Sequence, residues 1–316
     1  LNFKEKKMSL FFLLGAADPE MASIEALLAQ CGQGFAHAMV SGVRVTPRAT
    51  YQADAATAPS GAQTFYVECA PSTPVEGAVV LDHHLAGHPG FGRPAADFFP
   101  ASSLGQVVEV LARAGALPVA WLTATQTMGT PGQSGGLNLA SEVFYNAATA
   151  VQWVASEAGE GEEYFYAVPG TLYVVAAADH CLREAYAGNC PGVTPGQVAA
   201  FRAQSRALFL AVPAAEVYAM QATAVSKVAA APTINLGDVA VADLRGDIVP
   251  ELPDAACMAQ TACLAGPLGP KQNKFGLVAG GPAEVQAFLD HAGTVLGLTG
   301  LYGDPARGYA GGFLKE

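Results

Sequence analysis

The sequence predicts an α/β protein, with a mostly parallel sheet flanked by helices followed by a second, smaller α/β domain. Three observations carry this expectation. Short apolar runs alternate with segments of helical period through most of the 316 residues, the pattern of successive strand–helix–strand units. Several of those runs stop abruptly at an acid or a histidine, as strands do at the carboxyl edge of an open sheet, where ligands bind. Hydrophobic residues make up 51% of the chain and charged residues only 14%, with 35 glycines, so a large core with close helix–sheet packing is expected. The length favours two domains, placed at residues 8–212 and 233–316 and joined by a helical linker at 213–232.

Residues 1–7 read as an upstream extension or expression remnant ahead of Met8. The basic LNFKEKK followed by apolar Leu10–Leu14 imitates an export signal, but that run is short for export and far too short to span a membrane. Leu10–Ala17 reads instead as a central strand. Asp18-Pro19 then supplies an N-cap and a first-turn proline for a helix carrying Met21, Ile24, Leu27, Leu28 and Cys31. Phe35–Val45 reads as a second strand and residues 46–63 as loop or a short helix. Thr64–Val67 is a third strand, ending at Glu68. Val79–Leu81 is a fourth, running into Asp82-His83-His84. A Gly/Pro-rich loop leads from there to Ala101-Ser102-Ser103 and a helix at 102–114.

Another helix is expected at 138–156, followed by a solvated acidic loop at 156–163. Leu172–Ala177 reads as a further apolar strand, ending in Asp179-His180. From Thr194-Pro195 a helical pattern runs through Val198, Phe201, Leu208 and Phe209, breaks at Pro213, and resumes through Val217, Met220 and Val228. The second domain has strand-like Val239–Ala242 and Phe275–Ala279, a helix over Ala283–Leu296, and a glycine-rich tail from Gly300.

A net charge of −11, from 16 basic and 27 acidic residues, disfavours long duplex nucleic acid as a partner and leaves a short or buried anionic substrate open. Six cysteines, at 31, 69, 181, 190, 257 and 263, form no C-x-x-C pair, and several sit inside apolar runs. The expectation is reduced thiols in a cytoplasmic chain, without a membrane partner.

Asp18 with Glu20, Glu68, Asp82 with His83 and His84, and Asp179 with His180 all fall at the expected strand ends. Carboxylates and imidazoles gathered at one sheet edge suit Mn²⁺ or Mg²⁺, and two such ions roughly 3.5–4 Å apart clamp a phosphoryl group and activate water. Each residue also has a plainer reading. Asp18 caps a helix, Glu20 complements its dipole, Glu68 is a solvated strand end, and His180 is incidental to a helix start. Adjacent His83 and His84 at a buried strand end are harder to explain structurally, because each ring needs a partner.

Val80-Leu81-Asp82-His83-His84, followed by Phe91-Gly92 and Ala101-Ser102-Ser103, resembles the third motif of the DHH phosphoesterase superfamily with its downstream helix start. That superfamily includes oligoribonucleases, single-strand exonucleases, cyclic-dinucleotide phosphodiesterases and manganese pyrophosphatases. Asp18-Pro19-Glu20 is similar to the first motif, with Glu as its second acid, and Glu68 stands where the second-motif Asp falls. Asp179 matches the position of the fourth-motif Asp. The tail Gly303–Phe313 resembles the glycine-rich substrate loop of the smaller DHHA1-type domain, which the resemblance places across a cleft from the first.

The resemblance implies one or two Mn²⁺ or Mg²⁺ ions held by Asp18, Glu20, Glu68, His83 and Asp179. It also implies that Asp82 orients the imidazoles, that His84 faces the phosphate or its leaving oxygen, and that His88, Ser102 and Ser103 lie on the substrate side. Arg307, Gly308, Gly311 and Gly312 would grip a phosphate, through a guanidinium and closely approaching amides; a C-terminal turn cluster with a surface arginine is the plainer alternative. The family's first-motif histidine is replaced here by Leu14, and each Asp-to-Glu change moves a carboxylate by about 1.5 Å. His180, or else His37 or His88, is a candidate to restore a nitrogen ligand.

The expected function is a metal-dependent phosphodiesterase acting on short single-stranded oligonucleotides or small dinucleotides, and a homodimer is compatible with it. The alternatives are a catalytically impaired nucleotide-binding protein on the same scaffold and a pyrophosphatase-like hydrolase, which the glycine-rich tail disfavours.

Overall fold

The computed structural model describes residues 9–47, 49–55, 57–117, 169–268, 273–305 and 307–315. The helix expected at 138–156 and the acidic loop at 156–163 lie outside them. The chain divides into two compact units, Leu1–Phe91 with Asp97–Ala176, and Gly92–Ala96 with Ala177–Glu316.

The first unit contains β1 (Leu10–Leu14), α1 (Pro19–Gln30), β2 (Gly34–His37), β3 (Met39–Val40), β4 (Val43–Arg44), β5 (Gln63–Val67), β6 (Val79–Leu81), α2 (Phe98–Ala101) and α3 (Ser103–Arg113). It also holds most of α4 (Pro169–His180), whose last turn belongs to the second unit. Its main sheet is parallel throughout, in the order β2-β1-β5-β6. All five residues of β1 are buried, as a strand covered on both faces requires, and the Phe12 and Phe65 rings stack at 5.0 Å.

Register then fixes the edge. Leu14 pairs with His37 and Val67, and Val67 with Leu81, so the next residues, Gly15, Ala38, Glu68 and Asp82, share the carboxyl end of the sheet. On the flanking helices, α1 buries Met21, Ile24, Leu27 and Leu28, and α3 buries Leu104, Val107, Val108 and Leu111, each set at helical spacing.

Two expectations are corrected here. The second strand stops at His37 and is followed by the hairpin β3–β4, because Ser41 and Gly42 take φ of 51° and 80°, the paired left-handed residues of a tight hairpin turn. Leu172–Ala177 is helix, not strand. Leu172–Ala178 are all buried, and an uninterrupted apolar run does not separate a buried strand from a buried helix; Ala176–Ala178 favour the helix. Asp179 and His180 therefore end a helix.

The second unit contains α5 (Leu182–Tyr186), α6 (Pro195–Leu210), α7 (Ala214–Ala230), β7 (Thr233–Leu236), β8 (Val239–Arg245), α8 (Leu252–Met258), β9 (Cys263–Leu268), β10 (Lys274–Val278), α9 (Pro282–Leu296), β11 (Leu298–Asp304) and β12 (Tyr309–Leu314). Its sheet runs β11-β12-β10-β9-β8-β7, with β8 and β9 parallel and the other neighbours antiparallel. Val285, Phe288 and Ala292 of α9 share a core with Val241, Leu264 and Leu277 of the sheet.

The chain enters α6 through a capping box between Thr194 and Gln197, and α6 breaks from α7 at left-handed Ala211 and Pro213 with a bend of 112°. No single described helix is long and apolar enough to cross a membrane. β7, α8 and β9 have no counterpart among the elements expected from the sequence, and the glycine-rich tail is the hairpin β11–β12 rather than a loop. Gly311 is a strand residue opposite Tyr302, and a Cβ on it would meet the Tyr302 side chain at 2.4 Å, so this glycine serves close cross-strand packing.

Candidate metal centre

The carboxyl edge of the parallel sheet is shaped first by backbone. A Cβ at Gly15 would lie 2.5 Å from the carbonyl oxygen of Glu68, so only glycine lets β1 and β5 leave the sheet this close together. Glu68 itself takes φ of 50°, a conformation that costs about 1–2 kcal/mol for a residue with a side chain. Its N–H donates to Leu81 O (3.2 Å), its carbonyl accepts from the Thr50 hydroxyl, and its Oε1 accepts from Ser103 Oγ (2.8 Å). These bonds hold the turn that aims the carboxylate.

Next along the edge, Asp82 is fully buried. Its Oδ1 accepts from the backbone N–H groups of His83 (2.6 Å) and His84 (2.9 Å) and lies 2.9 Å from His84 Nδ1. Its Oδ2 accepts from the Tyr51 hydroxyl (2.9 Å) and lies 3.3 Å from His88 Nδ1. Burial by itself would raise the carboxyl pKa, but the hydrogen bonds and charge of His84, with the charge of His88, overcome it and bring the group down to about 2. Asp82 is thus a carboxylate at any ordinary pH, and it fixes the proton of His84 on Nδ1. The strand end is clamped from behind by Gln106, whose Oε1 accepts from Asp82 N (3.1 Å) and whose Nε2 donates to Asp82 O (3.2 Å) and Ala101 O (2.9 Å).

The third wall is the amino end of α3. Ser102 caps it by accepting from Gly105 N (3.0 Å), and the N–H of Leu104 donates to Oε1 of Glu20 from α1 (3.0 Å). Glu20 and Glu68, both buried, are therefore both tied to the amino end of α3, Glu20 through the N–H of Leu104 and Glu68 through the hydroxyl of Ser103. Gly105 is required there, since its Cβ would fall 1.7 Å from Phe99 O. Gly105→Ala is expected to displace the start of α3 and destabilise the first unit by about 1–3 kcal/mol, read as a fall in the urea midpoint.

Together these walls bring Glu20, Glu68 and His83 into one buried group whose ligand atoms lie within 4.8 Å of one another, and Glu68, His83 and His84 satisfy the same condition. His83 Nε2 is 3.5 Å from Glu68 Oε1, and the two imidazole rings are 4.5 Å apart. Two carboxylates and neighbouring imidazoles are a donor set that fits a divalent cation of hard to borderline character. Of the four, only His84 reaches solvent appreciably, at 34% side-chain exposure against 0% for His83.

The other expected site residues have contacts of their own. Asp18 caps α1 by accepting from Met21 N (2.7 Å). His88 lies against Asp82, with the Tyr51 and His88 rings 5.9 Å apart, and Ser103 is bound to Glu68. His37 ends β2 with Nε2 at 3.1 Å from Glu25. In the second unit, His180 Nε2 lies 3.3 Å from the carbonyl oxygen of Arg93, and Asp179 is 3.9 Å from Nη2 of Arg307. Arg307 precedes the β12 strand, with its guanidinium 5.7 Å from the centre of the Tyr309 ring. The Gly308 N–H donates to Asp304 O (3.0 Å), and Gly311 and Gly312 lie in the strand ladder, so the turn presents a guanidinium rather than a cradle of amides.

All six cysteines are free thiols. Burial, reinforced by the charges of Asp82 and Glu68, pushes Cys69 up to about 12, so it stays protonated beside the cluster.

Tyr51 and Gln106 were not singled out by the sequence. Nothing in a lone Tyr after a Thr/Ala/Pro loop marks it, and a Gln in the first turns of an apolar helix reads as surface; both act through tertiary contacts. Tyr51→Phe removes one of the donors to Asp82 and is expected to weaken binding of a divalent cation to the group roughly 10-fold without unfolding the protein, measurable by calorimetric titration.

No protein-family model matches the chain, and comparisons with curated proteins and with solved structures give no match.

Proposed function

We propose that this chain is a metal-dependent phosphodiesterase that hydrolyses short single-stranded oligonucleotides or small dinucleotides, as a divergent relative of the DHH phosphoesterases. The observation that supports it most is the buried Glu20–Glu68–His83 group beside His84 at the carboxyl edge of a parallel sheet. Glu20, Glu68 and His83, with His84 adjoining, would hold Mn²⁺ or Mg²⁺. When bound, such an ion supplies Lewis-acid stabilisation of a phosphoryl oxygen and lowers the pKa of water.

The chain's own groups divide the remaining work. Asp82 holds the Nδ1 proton of His84, leaving Nε2 to face a phosphate or leaving oxygen from the one partly open position of the group. Tyr51 and Gln106 keep Asp82 in place. Arg307, as the phosphate-binding residue of the second unit, is a bidentate donor to an anionic substrate; Arg307→Ala is expected to raise KM roughly 10–100-fold with a smaller change in kcat.

The test is a panel of dinucleotides, cyclic dinucleotides and short oligonucleotides with and without Mn²⁺. Mononucleotide release that needs the metal, and that disappears in His83→Ala, is the expected result. Equal silence of wild type and variant would remove the enzymatic reading. A second reading, a nucleotide-binding protein that no longer hydrolyses, is favoured by Leu14 in place of a ligand and by the engagement of both glutamates with α3. Nucleotide binding in an inactive wild type would select it.

A further inference from the structure

Cys181 and Cys190 stand apart from the other four cysteines. Their Sγ atoms are 3.2 Å apart, thiol against thiol, and both residues are buried at 4% and 1% exposure. Cys69 and Cys263 instead direct their thiols to the carbonyls of Leu13 and Thr261, each at 3.3 Å. The two paired cysteines are separated by α5 and a turn in which Gly188 takes φ of 78°. The segment between them is short and folds back on itself, so the sulfurs meet through local structure.

We infer that Cys181 and Cys190 are a redox pair that closes to an intrachain disulfide when a low-molecular-weight disulfide such as oxidised glutathione is available. A disulfide needs about 2.05 Å between sulfurs, so bond formation asks for a movement of little more than 1 Å, within reach of side-chain rotation. One thiolate attacks a sulfur of oxidised glutathione and releases one glutathione thiolate; the second cysteine, as its thiolate, attacks the mixed disulfide and releases the other. Two electrons and two protons leave the protein, and one oxidised glutathione becomes two reduced molecules.

The position gives the bond a consequence. Cys181 joins α4 to α5 with φ of −151° and ψ of 59°, directly after Asp179 and His180. A bridge to Cys190 would hold this junction, and with it the backbone that carries the Asp179 carboxylate toward Arg307. The inference is independent of the metal centre and of the proposed reaction.

The test uses the full chain with all six cysteines. Reduced protein is exposed to oxidised glutathione in native buffer and, separately, refolded from urea in the same redox buffer, so that burial does not limit access. Remaining thiols are blocked with N-ethylmaleimide in denaturant, and the protein is cut with trypsin, which cleaves after Arg183 between the two cysteines. The expected product is a pair of peptides joined through Cys181 and Cys190, separated by dithiothreitol and absent from Cys190→Ser. Joined peptides from either regime support the pair. If both cysteines carry N-ethylmaleimide, or separate glutathione adducts, after both regimes, the inference is overturned.

Discussion

Glu68→Gln is expected to lower Mn²⁺ affinity by more than about 100-fold while leaving the fold intact, because it removes charge at the centre of the donor group without changing its shape. The amide oxygen still accepts from Ser103 Oγ, so the left-handed turn at residue 68 keeps its side-chain anchor. Changes to groups that only support a ligand typically cost 10–100-fold in affinity, and a lost ligand carboxylate should exceed the upper end of that range.

Calorimetric titration gives the affinity, and thermal unfolding gives a second reading. Metal at about 100 times its Kd stabilises the folded state by about 2.7 kcal/mol, a gain that wild type should show and Glu68→Gln should lack at the same concentration. Unchanged affinity in a folded variant would mean that Glu68 serves the turn and the start of α3, and nothing else. Ser103→Ala separates the two roles, since it removes the anchor and leaves the carboxylate.

How far the sequence reveals this centre depends on which physics fixes each part. The β5 and β6 strands are legible because their apolar runs end at Glu68 and Asp82, where the chain must turn, whereas β1 is legible from its apolar run but stops at Leu14, short of the expected Ala17. The helix starts at Asp18-Pro19 and Ser102 were legible because capping is a local interaction. The α4 helix was misread because Leu172–Ala178 is apolar on every side, so no periodicity remains to separate helix from strand. Glu20 illustrates the other limit. Its place in the first turn of α1 is visible in sequence, yet its hydrogen bond to Leu104 spans 84 positions and depends on how α1 and α3 meet. The clamp of Gln106 on Asp82 and the hydroxyl of Tyr51 are of the same kind.

The second large effect is expected in the second unit, where Arg202→Ala should destabilise the fold by about 3–5 kcal/mol. The Asp254 carboxylate, on α8, is 1% exposed and takes Nε of Arg202 at 2.9 Å and Nη2 at 2.8 Å, with the Tyr186 hydroxyl at 2.9 Å. Burial alone would lower the Arg202 pKa, but the hydrogen bonds and charge of Asp254 more than reverse that and raise it. Arg206 repeats the arrangement one turn along α6, reaching both oxygens of Glu251 at 2.8–3.0 Å.

Removing one cation leaves a carboxylate in a low-dielectric place with a hydroxyl as its remaining side-chain donor. The penalty is that of the stranded charge rather than of the lost bond. Arg202→Met with Asp254→Leu removes both charges and should recover most of the loss. Arg245→Ala, at an exposed pair with Asp243, should cost no more than about 1 kcal/mol.

Urea unfolding followed by circular dichroism measures the three variants, and hydrogen exchange assigns any loss to peptides of α6 and α8. A loss under about 1 kcal/mol in Arg202→Ala would show that water reaches Asp254 once the guanidinium is gone. In that event the Arg202–Asp254 pair is not what holds α8, which keeps the Arg206–Glu251 pair and its apolar contacts. The large-effect outcome would instead mean that the Asp254 carboxylate ties α8, an element whose seven residues are too few to be stable as an isolated helix, to the long α6.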